Sequence, residues 1–289
     1  MRIASATAFA FMGALLKAAS TRGVATPEMI FWRNGWSLLV VSTWLTLGPG
    51  WAAVRTRRPL AHLTRASIGL VSMLLTFGAL ALLPLGEATT LTYAAPILAT
   101  ILSGLLLGEA IGRRRWAAVA VGFAGVLLVV RPTGAGLPLL GVAVGIGAAV
   151  TQSAVMITLR QIGRTESIAA IVFWFTIFTT IAGAAMLPFF GRLHDPLTLA
   201  ILAAAGTIGG VGQLTMTASL RHAPVSVVVP FDYLQILWAT LIGWLAFASP
   251  PTGAMLAGAA LIAGSGIYTA WREGRKGRAA SQALAPPEG

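Results

Sequence analysis

Asp232, Arg33 and Lys17 each sit inside a long apolar run of this chain, and each offers a definite chemistry. A carboxylate within an apolar helix attracts an ammonium group or takes up a proton, and a guanidinium binds a carboxylate. Ionisable groups at membrane depth are costly, so they mark ligand or ion pathways unless a partner neutralises them. Asp232 therefore has two readings. In one it meets the ammonium of a substrate or carries a proton. In the other it pairs with a neighbouring cation or caps backbone broken near Pro230. Arg33, followed by Asn34, either binds a carboxylate or holds a helix–helix contact. Lys17 is long enough to reach the outer interface with its ammonium while its stem stays among apolar groups. Tyr93, Gln152, Gln213 and Gln235 are neutral polar groups that either line a cavity with Asp232 and Arg33 or bridge helices, the commoner role of lone polar side chains in membranes. Pro96 lies within an apolar helix, where it frees a carbonyl and kinks the chain. Together with Pro230 it is a candidate hinge.

Projected at 100° per residue, Asp232, Gln235, Ile236, Ala239 and Gly243 share one side of their helix, with Leu234, Leu237, Leu241, Trp244 and Leu245 opposite. The polar, small side must face protein or a cavity, and the Leu/Trp side suits lipid. Counted from the start of its apolar run, Asp232 lies ~13 Å deep at 1.5 Å per residue, near the middle of the span.

The elements that position these residues follow from composition. Of the 289 residues, 57% are hydrophobic and 10% charged, with a mean hydropathy of +0.84. Soluble domains carry about a quarter charged residues, so this is a polytopic membrane protein. Ten apolar segments are expected, near 3–20, 28–48, 63–83, 88–108, 115–131, 137–158, 167–190, 196–219, 224–247 and 253–271. Short breaks rich in Pro, Gly and charge separate them. With the N-terminus inside, the cytoplasmic side holds Arg2, Arg55, Arg57, Arg58, Arg65, Arg113, Arg114, Arg115, Arg160, Arg164, Arg221, Arg272, Arg275, Lys276 and Arg278. The outer loops hold Arg22, Arg131 and Arg192. Fifteen against three places both termini in the cytoplasm of a bacterial-type inner membrane. Residues 272–289, basic and then Ala/Pro-rich, are expected to form a disordered tail.

A shift of 140 pairs Pro84 with Pro224, Tyr93 with Tyr233, and Ala99-Thr100 with Ala239-Thr240; Phe31-Trp32 pairs with Phe173-Trp174 at 142. These matches suggest a duplication, 1–135 and 136–271, in which Thr92 takes the place of Asp232. Five spans per half is an odd number, so the second copy enters from the opposite side. The fold class expected is an all-α integral membrane protein of ten transmembrane helices, two five-helix inverted repeats around a central cavity. Such an architecture provides two states open to alternate sides.

Enzymatic chemistry finds little support. The chain has no cysteine, and His62, His194 and His222 are expected in loops without ligand spacing. No metal or other cofactor is expected. Nothing matches a phosphate-binding G-x-x-x-x-G-K-[ST] loop, so ATP-driven pumping by this chain is excluded. The net charge of +12 lies in clusters between apolar runs, which is topology rather than nucleic-acid binding. The partners expected are a small-molecule substrate and the lipid bilayer, with a monomer sufficient for function. Small-residue pairs Gly104/Gly108 and Gly141/Gly145, and the run Gly206, Gly209, Gly210, Gly212, serve close helix packing. Trp32, Trp36, Trp44, Trp51 and Trp116 are read as interfacial anchors.

The stretch EATTLTYAAPILATILSGLLLGEAI, with Pro96 and Gly108-Glu109, resembles the signature of the EamA branch of the drug/metabolite transporter superfamily. RRRWAAVAVGFAGVLLVV, FWRNGWSLLVV and PFDYLQILWATLIGWLAF continue the resemblance across the chain, with Ser249 where the family often has glutamate. Small multidrug pumps of the superfamily rely on a first-span glutamate; here that span holds Lys17 and no acid. The resemblance implies a ten-helix basket that moves metabolites, most like the amino-acid exporters of the YddG type. Riboflavin and S-adenosylmethionine carriers share the scaffold and stand as the alternative substrate class. A non-transporting assembly subunit is the alternative of another kind.

Overall fold

A computed structural model describes residues 1–98, 101, 113–131, 137–163, 165–222 and 229–283, without the side chains of 115, 160, 220–222, 229–230 and 273–283. These residues form α1 (Arg2–Thr21), α2 (Thr26–Leu47), α3 (Pro59–Leu82), α4 (Leu85–Thr92), α5 (Arg113–Val130), α6 (Leu139–Ile162), α7 (Ile168–Phe190), α8 (Pro196–His222), α9 (Leu234–Phe247) and α10 (Gly253–Ala283). Two 3₁₀ segments, Trp51–Val54 and Val229–Tyr233, accompany them, and no strand occurs among the described residues. Six helices, α1, α3, α6, α7, α8 and α10, are long and apolar enough to cross a membrane. Residues 116–130 and 231–247 form shorter apolar helices. In lipid every backbone polar group must be satisfied within the segment, which is why apolar runs of this length fold as helices.

The helices pack as α1 on α8, α3 on α6, α2 on α7, α5 on α10 and α4 on α9, with α2 also on α8, α3 on α7, α1 on α9 and α4 on α6. Replacing each helix by the one five places along leaves this set of partners unchanged. Absent glycine side chains permit the closest approaches. A Cβ at Gly206 would lie 2.5 Å from Trp36 Cβ, and one at Gly209 2.6 Å from Met12 Sδ, so α8 meets α2 and α1 through its glycine run. A Cβ at Gly258 would lie 2.5 Å from Gly125 O, which brings α5 and α10 to backbone contact. Gly141 and Gly145 receive Leu83 and Leu91 in the same way. Gly104 and Gly108 lie outside the described residues.

Two departures from the expected segments concern helix ends. The fourth segment does not run straight through Pro96: α4 stops at Thr92, and a turn at Tyr93-Ala94 precedes a short helical stretch over 95–98. Pro96 cannot donate to the carbonyl of Thr92 and its ring crowds that carbonyl, so the break falls just ahead of the proline. The C-terminal segment does not become irregular at Arg272; α10 continues to Ala283. Arg, Glu, Lys and Ala in that stretch are strong helix formers. At the start of α8, Asp195 caps the helix by accepting from Leu197 N at 3.0 Å, Thr198 N at 3.2 Å and Thr198 Oγ1 at 2.5 Å. The Thr198 hydroxyl, then its amide, hold the Asp195 carboxyl below the usual carboxylate range.

Candidate functional site

The chain breaks at two places related by the 140-residue shift, the turn at Tyr93-Ala94 and the 3₁₀ segment Val229–Tyr233, and the structure brings them together. The rings of Tyr93 and Tyr233 lie 5.6 Å apart at 52°. Tyr233 is buried, its hydroxyl without a hydrogen-bond partner and pressed against Gly266 of α10, where a Cβ has no room. Beside this pair both oxygens of Asp232 accept from one edge of the Arg2 guanidinium: Arg2 Nε donates to Oδ1 at 2.6 Å and Nη2 to Oδ2. Arg2 Nη1 also reaches Met216 O and Ser219 Oγ, each at 3.5 Å. The two side chains are 10% and 14% exposed, so the charges meet in a largely dry setting where bidentate pairing is strong.

In this conformation Asp232 is paired with a neighbouring cation, one of the partners the sequence reading allowed it. The pair sets Asp232 beside the first residue of α1 and near Met216 and Ser219 of α8. The face assignment of its helix agrees with the burial: Ile236, Ala239 and Gly243 are buried, and Leu237, Leu241, Trp244 and Leu245 exposed. Gln235 is half-buried at the start of α9, and Gln213 half-buried on α8.

Arg33 is buried between α2 and α8. Its Nη1 donates to Asn34 Oδ1 at 2.7 Å, while Nε has no partner. It packs at Gly209, seven residues along α8 from Met216, or about 10 Å at the helical rise. Arg33 and Asp232 therefore do not converge on one ligand group. Asn34 Nδ2 donates to Ile30 O and lies 3.8 Å from Met73 Sδ. Gln152 accepts from Ser72 Oγ at 3.0 Å, joining α6 to α3. Lys17 Nζ donates to Leu83 O at 2.8 Å and Ala81 O at 3.4 Å, satisfying carbonyls left open at the end of α3. Pro96 follows the turn at Tyr93-Ala94, and Pro230 falls within the 3₁₀ segment.

Several polar groups escaped the sequence reading. His62 belongs to α3 rather than a loop, is buried, and its Nε2 lies 3.2 Å from Glu166 Oε2. At the other end of the bundle His194 Nε2 lies 2.9 Å from the buried Glu28 Oε1. Trp174 Nε1 donates to Val54 O at 2.9 Å, and Ser167 Oγ to Ala53 O at 2.6 Å, which ties the start of α7 to the first 3₁₀ segment. Arg65, counted among the cytoplasmic charges, is buried in α3. His62, Arg65, Gly69 and Ser72 recur at helical spacing, and that stripe was the signal available for them. Of the five tryptophans read as anchors, Trp36, Trp51 and Trp116 are exposed. Trp36 and Trp44 line a lateral groove of about 630 Å³ with Leu39, Val40 and Thr207.

The pattern of the EamA-like transporter family matches this chain over residues 1–131 and again over 139–270. A riboflavin transporter of Rhizobium johnstonii is 32% identical over 255 residues, 86% of this chain and 82% of that protein. A pseudopaline exporter of Pseudomonas aeruginosa is 28% identical, covering 88% and 89%. An S-adenosylmethionine uptake transporter of Rickettsia felis is 22% identical, covering 85% and 83%. A crystal structure of a protein 23% identical superposes with a TM-score of 0.62 over 92% of this chain and 96% of the other, a likeness of fold. The apolar helices, the interior polar residues and a family pattern that spans nearly the whole sequence agree: this chain belongs to the EamA-like transporter family of the drug/metabolite superfamily, and is a multi-pass membrane transporter rather than an enzyme.

Proposed function

We propose that the chain is a ten-span carrier made of two inverted five-helix repeats, in a bacterial inner membrane with both termini cytoplasmic, and that it exports amino acids or related small metabolites by alternating access. The observation that carries this reading is the helix-partner pattern. Its nine principal pairings are unchanged when α1–α5 are exchanged with α6–α10, and it sets the two chain breaks against each other at Tyr93 and Tyr233. The repeat-related pairs Phe31–Trp32 and Phe173–Trp174 support it, with centroids 5.3 and 5.7 Å apart and interplanar angles of 70° and 75°. Two similar halves give two conformations of similar energy.

In this proposal Pro96 and Pro230 mark the hinges, and the Arg2–Asp232 pair closes one end of the path by tying α1 to the broken segment before α9. Opening requires that pair to separate, which leaves Asp232 for a substrate ammonium or a proton. Arg33, Tyr93, Gln152, Gln213 and Gln235 complete the polar lining. With Asp232 the one acid expected at mid-span, transport down the substrate gradient is the simplest driving force. A vitamin or cofactor carrier is the second reading, favoured by the 32% identical riboflavin transporter.

The test is counterflow in proteoliposomes with labelled amino acids, riboflavin and S-adenosylmethionine. Exchange of amino acids is the expected result. Exchange of riboflavin alone replaces the first reading by the second, and exchange of none of the three compounds refutes both.

A further inference from the structure

Arg65 is 5% exposed, yet its Nε and Nη1 are buried without a hydrogen-bond partner. The acid that meets the α3 stripe, Glu166, is paired with His62 one turn back from Arg65. What Arg65 does touch is the ring of Phe175 on α7, 4.3 Å below its Cζ. Room for the guanidinium comes from Gly69: a Cβ there would lie 2.4 Å from Arg65 Nη1 and 2.6 Å from Phe175 Cε2. Farther along the same face Ser72 and Gln152 present a hydroxyl and an amide. An aromatic face compensates a buried guanidinium less than removal from water costs it. The site is therefore electrically incomplete, with a fixed cation, open donors and an aromatic wall. A guanidinium so placed is suited to a carboxylate.

We propose that Arg65, framed by Gly69 and Phe175, binds the carboxylate of a small organic acid, and is the point between α3 and α7 at which the transported molecule's anionic group is held. The second clause rests on the carrier reading above; the first stands without it.

Benzoate is the probe, because it joins one carboxylate to one ring. The full chain is purified in an uncharged maltoside detergent, and its thermal midpoint is followed with sodium benzoate, benzyl alcohol or sodium chloride at equal concentration. Benzoate raises the midpoint of the parent protein in a saturable way and the other two do not. Arg65→Gln weakens benzoate at least tenfold and, free of ligand, unfolds no earlier than the parent, because an uncompensated cation has been removed. Arg65→Lys keeps the charge but not the fork, and binds benzoate several-fold more weakly. An equal benzoate shift in the parent, Arg65→Gln and Arg65→Lys overturns the site, since the anion then binds elsewhere. A ligand-free Arg65→Gln that unfolds markedly earlier overturns it as well, because Arg65 is then a packing residue. If Arg65→Gln does not fold, undiminished affinity in Arg65→Lys overturns the site. Benzoate binding that depends on Arg65, in a protein that moves no carboxylate, leaves the site standing and removes the substrate assignment. Unchanged amino-acid counterflow in Arg65→Gln removes Arg65 from the transport path and leaves the carrier reading standing.

Discussion

Replacing Asp232 by asparagine keeps the side chain's shape and removes the charge that faces Arg2. The pair is 10% and 14% exposed, well outside the regime in which surface screening reduces an ion pair to almost nothing. Removing one partner of a buried pair costs about 3–5 kcal/mol, because the other is left uncompensated. Asparagine still offers one carbonyl acceptor, and Arg2 keeps its contacts at 3.5 Å with Met216 O and Ser219 Oγ. Charge-assisted hydrogen bonds are worth about 1.5–3 kcal/mol, and one of the two is retained in weakened form, so the expected loss is roughly 2–3 kcal/mol. That corresponds to a change of about 30- to 150-fold in the folding equilibrium constant at 1.4 kcal/mol per tenfold. Arg2→Met in the parent background should cost a similar amount. Arg2→Met combined with Asp232→Leu should recover most of the loss, since apolar replacement of a whole buried pair is near neutral. The assay is reversible unfolding in mixed micelles across the cycle of parent, Arg2→Met, Asp232→Leu and the double variant, with Asp232→Asn measured beside it and read in counterflow. A coupling below about 0.5 kcal/mol, the scatter of independent sites, means that the two groups do not act together and refutes the argument. Transport at the parent rate by a folded Asp232→Asn confines Asp232 to a structural role.

Other perturbations test the packing and the caps. Gly258→Val drives a side chain into Gly125 O and Val129, and overpacking of this kind should cost about 1–3 kcal/mol in the same unfolding assay. Ser72→Ala removes the bond to Gln152; the expected loss is ~0.6 kcal/mol, the average for interhelical hydrogen bonds in a membrane. Thr198→Val strips the hydroxyl from Asp195, so the carboxyl, resolved by NMR of labelled protein, should titrate closer to the ordinary carboxylate value of 3.8. Because that group is held low in the folded state, the cap's contribution is present at neutral pH and disappears as pH falls through the depressed value. In Thr198→Val the contribution should be smaller and should fade at a higher pH.

The interior face of α9 could be read in the sequence because a period of 3.6 sorts Ile236, Ala239 and Gly243 from Leu237, Leu241, Trp244 and Leu245. Membrane residence and the helical character of the chain followed from hydrophobicity alone, since a bilayer allows an apolar run few other structures. The glycine run of α8 announced a close approach, although not which helices would approach: only the folded bundle assigns Gly206 to α2 and Gly209 to α1. Proline chemistry announced a distortion at Pro96 but left its form open, and the turn fell ahead of it at Tyr93-Ala94. Charge partners were the least legible. Arg2 and Asp232 lie 230 residues apart, and no local pattern links a terminal arginine to a carboxylate in another helix. Arg65 looked like one more cytoplasmic charge because hydropathy counts a side chain without knowing which way it points. Periodicity and composition act along one helix, so the sequence by itself determined which segments enter the membrane and which of their faces are apolar. Ion pairs and unpaired cations arise between helices distant in the chain, so only the tertiary structure decided that Asp232 is held by Arg2 and that Arg65 stands buried without a counter-ion among the described residues.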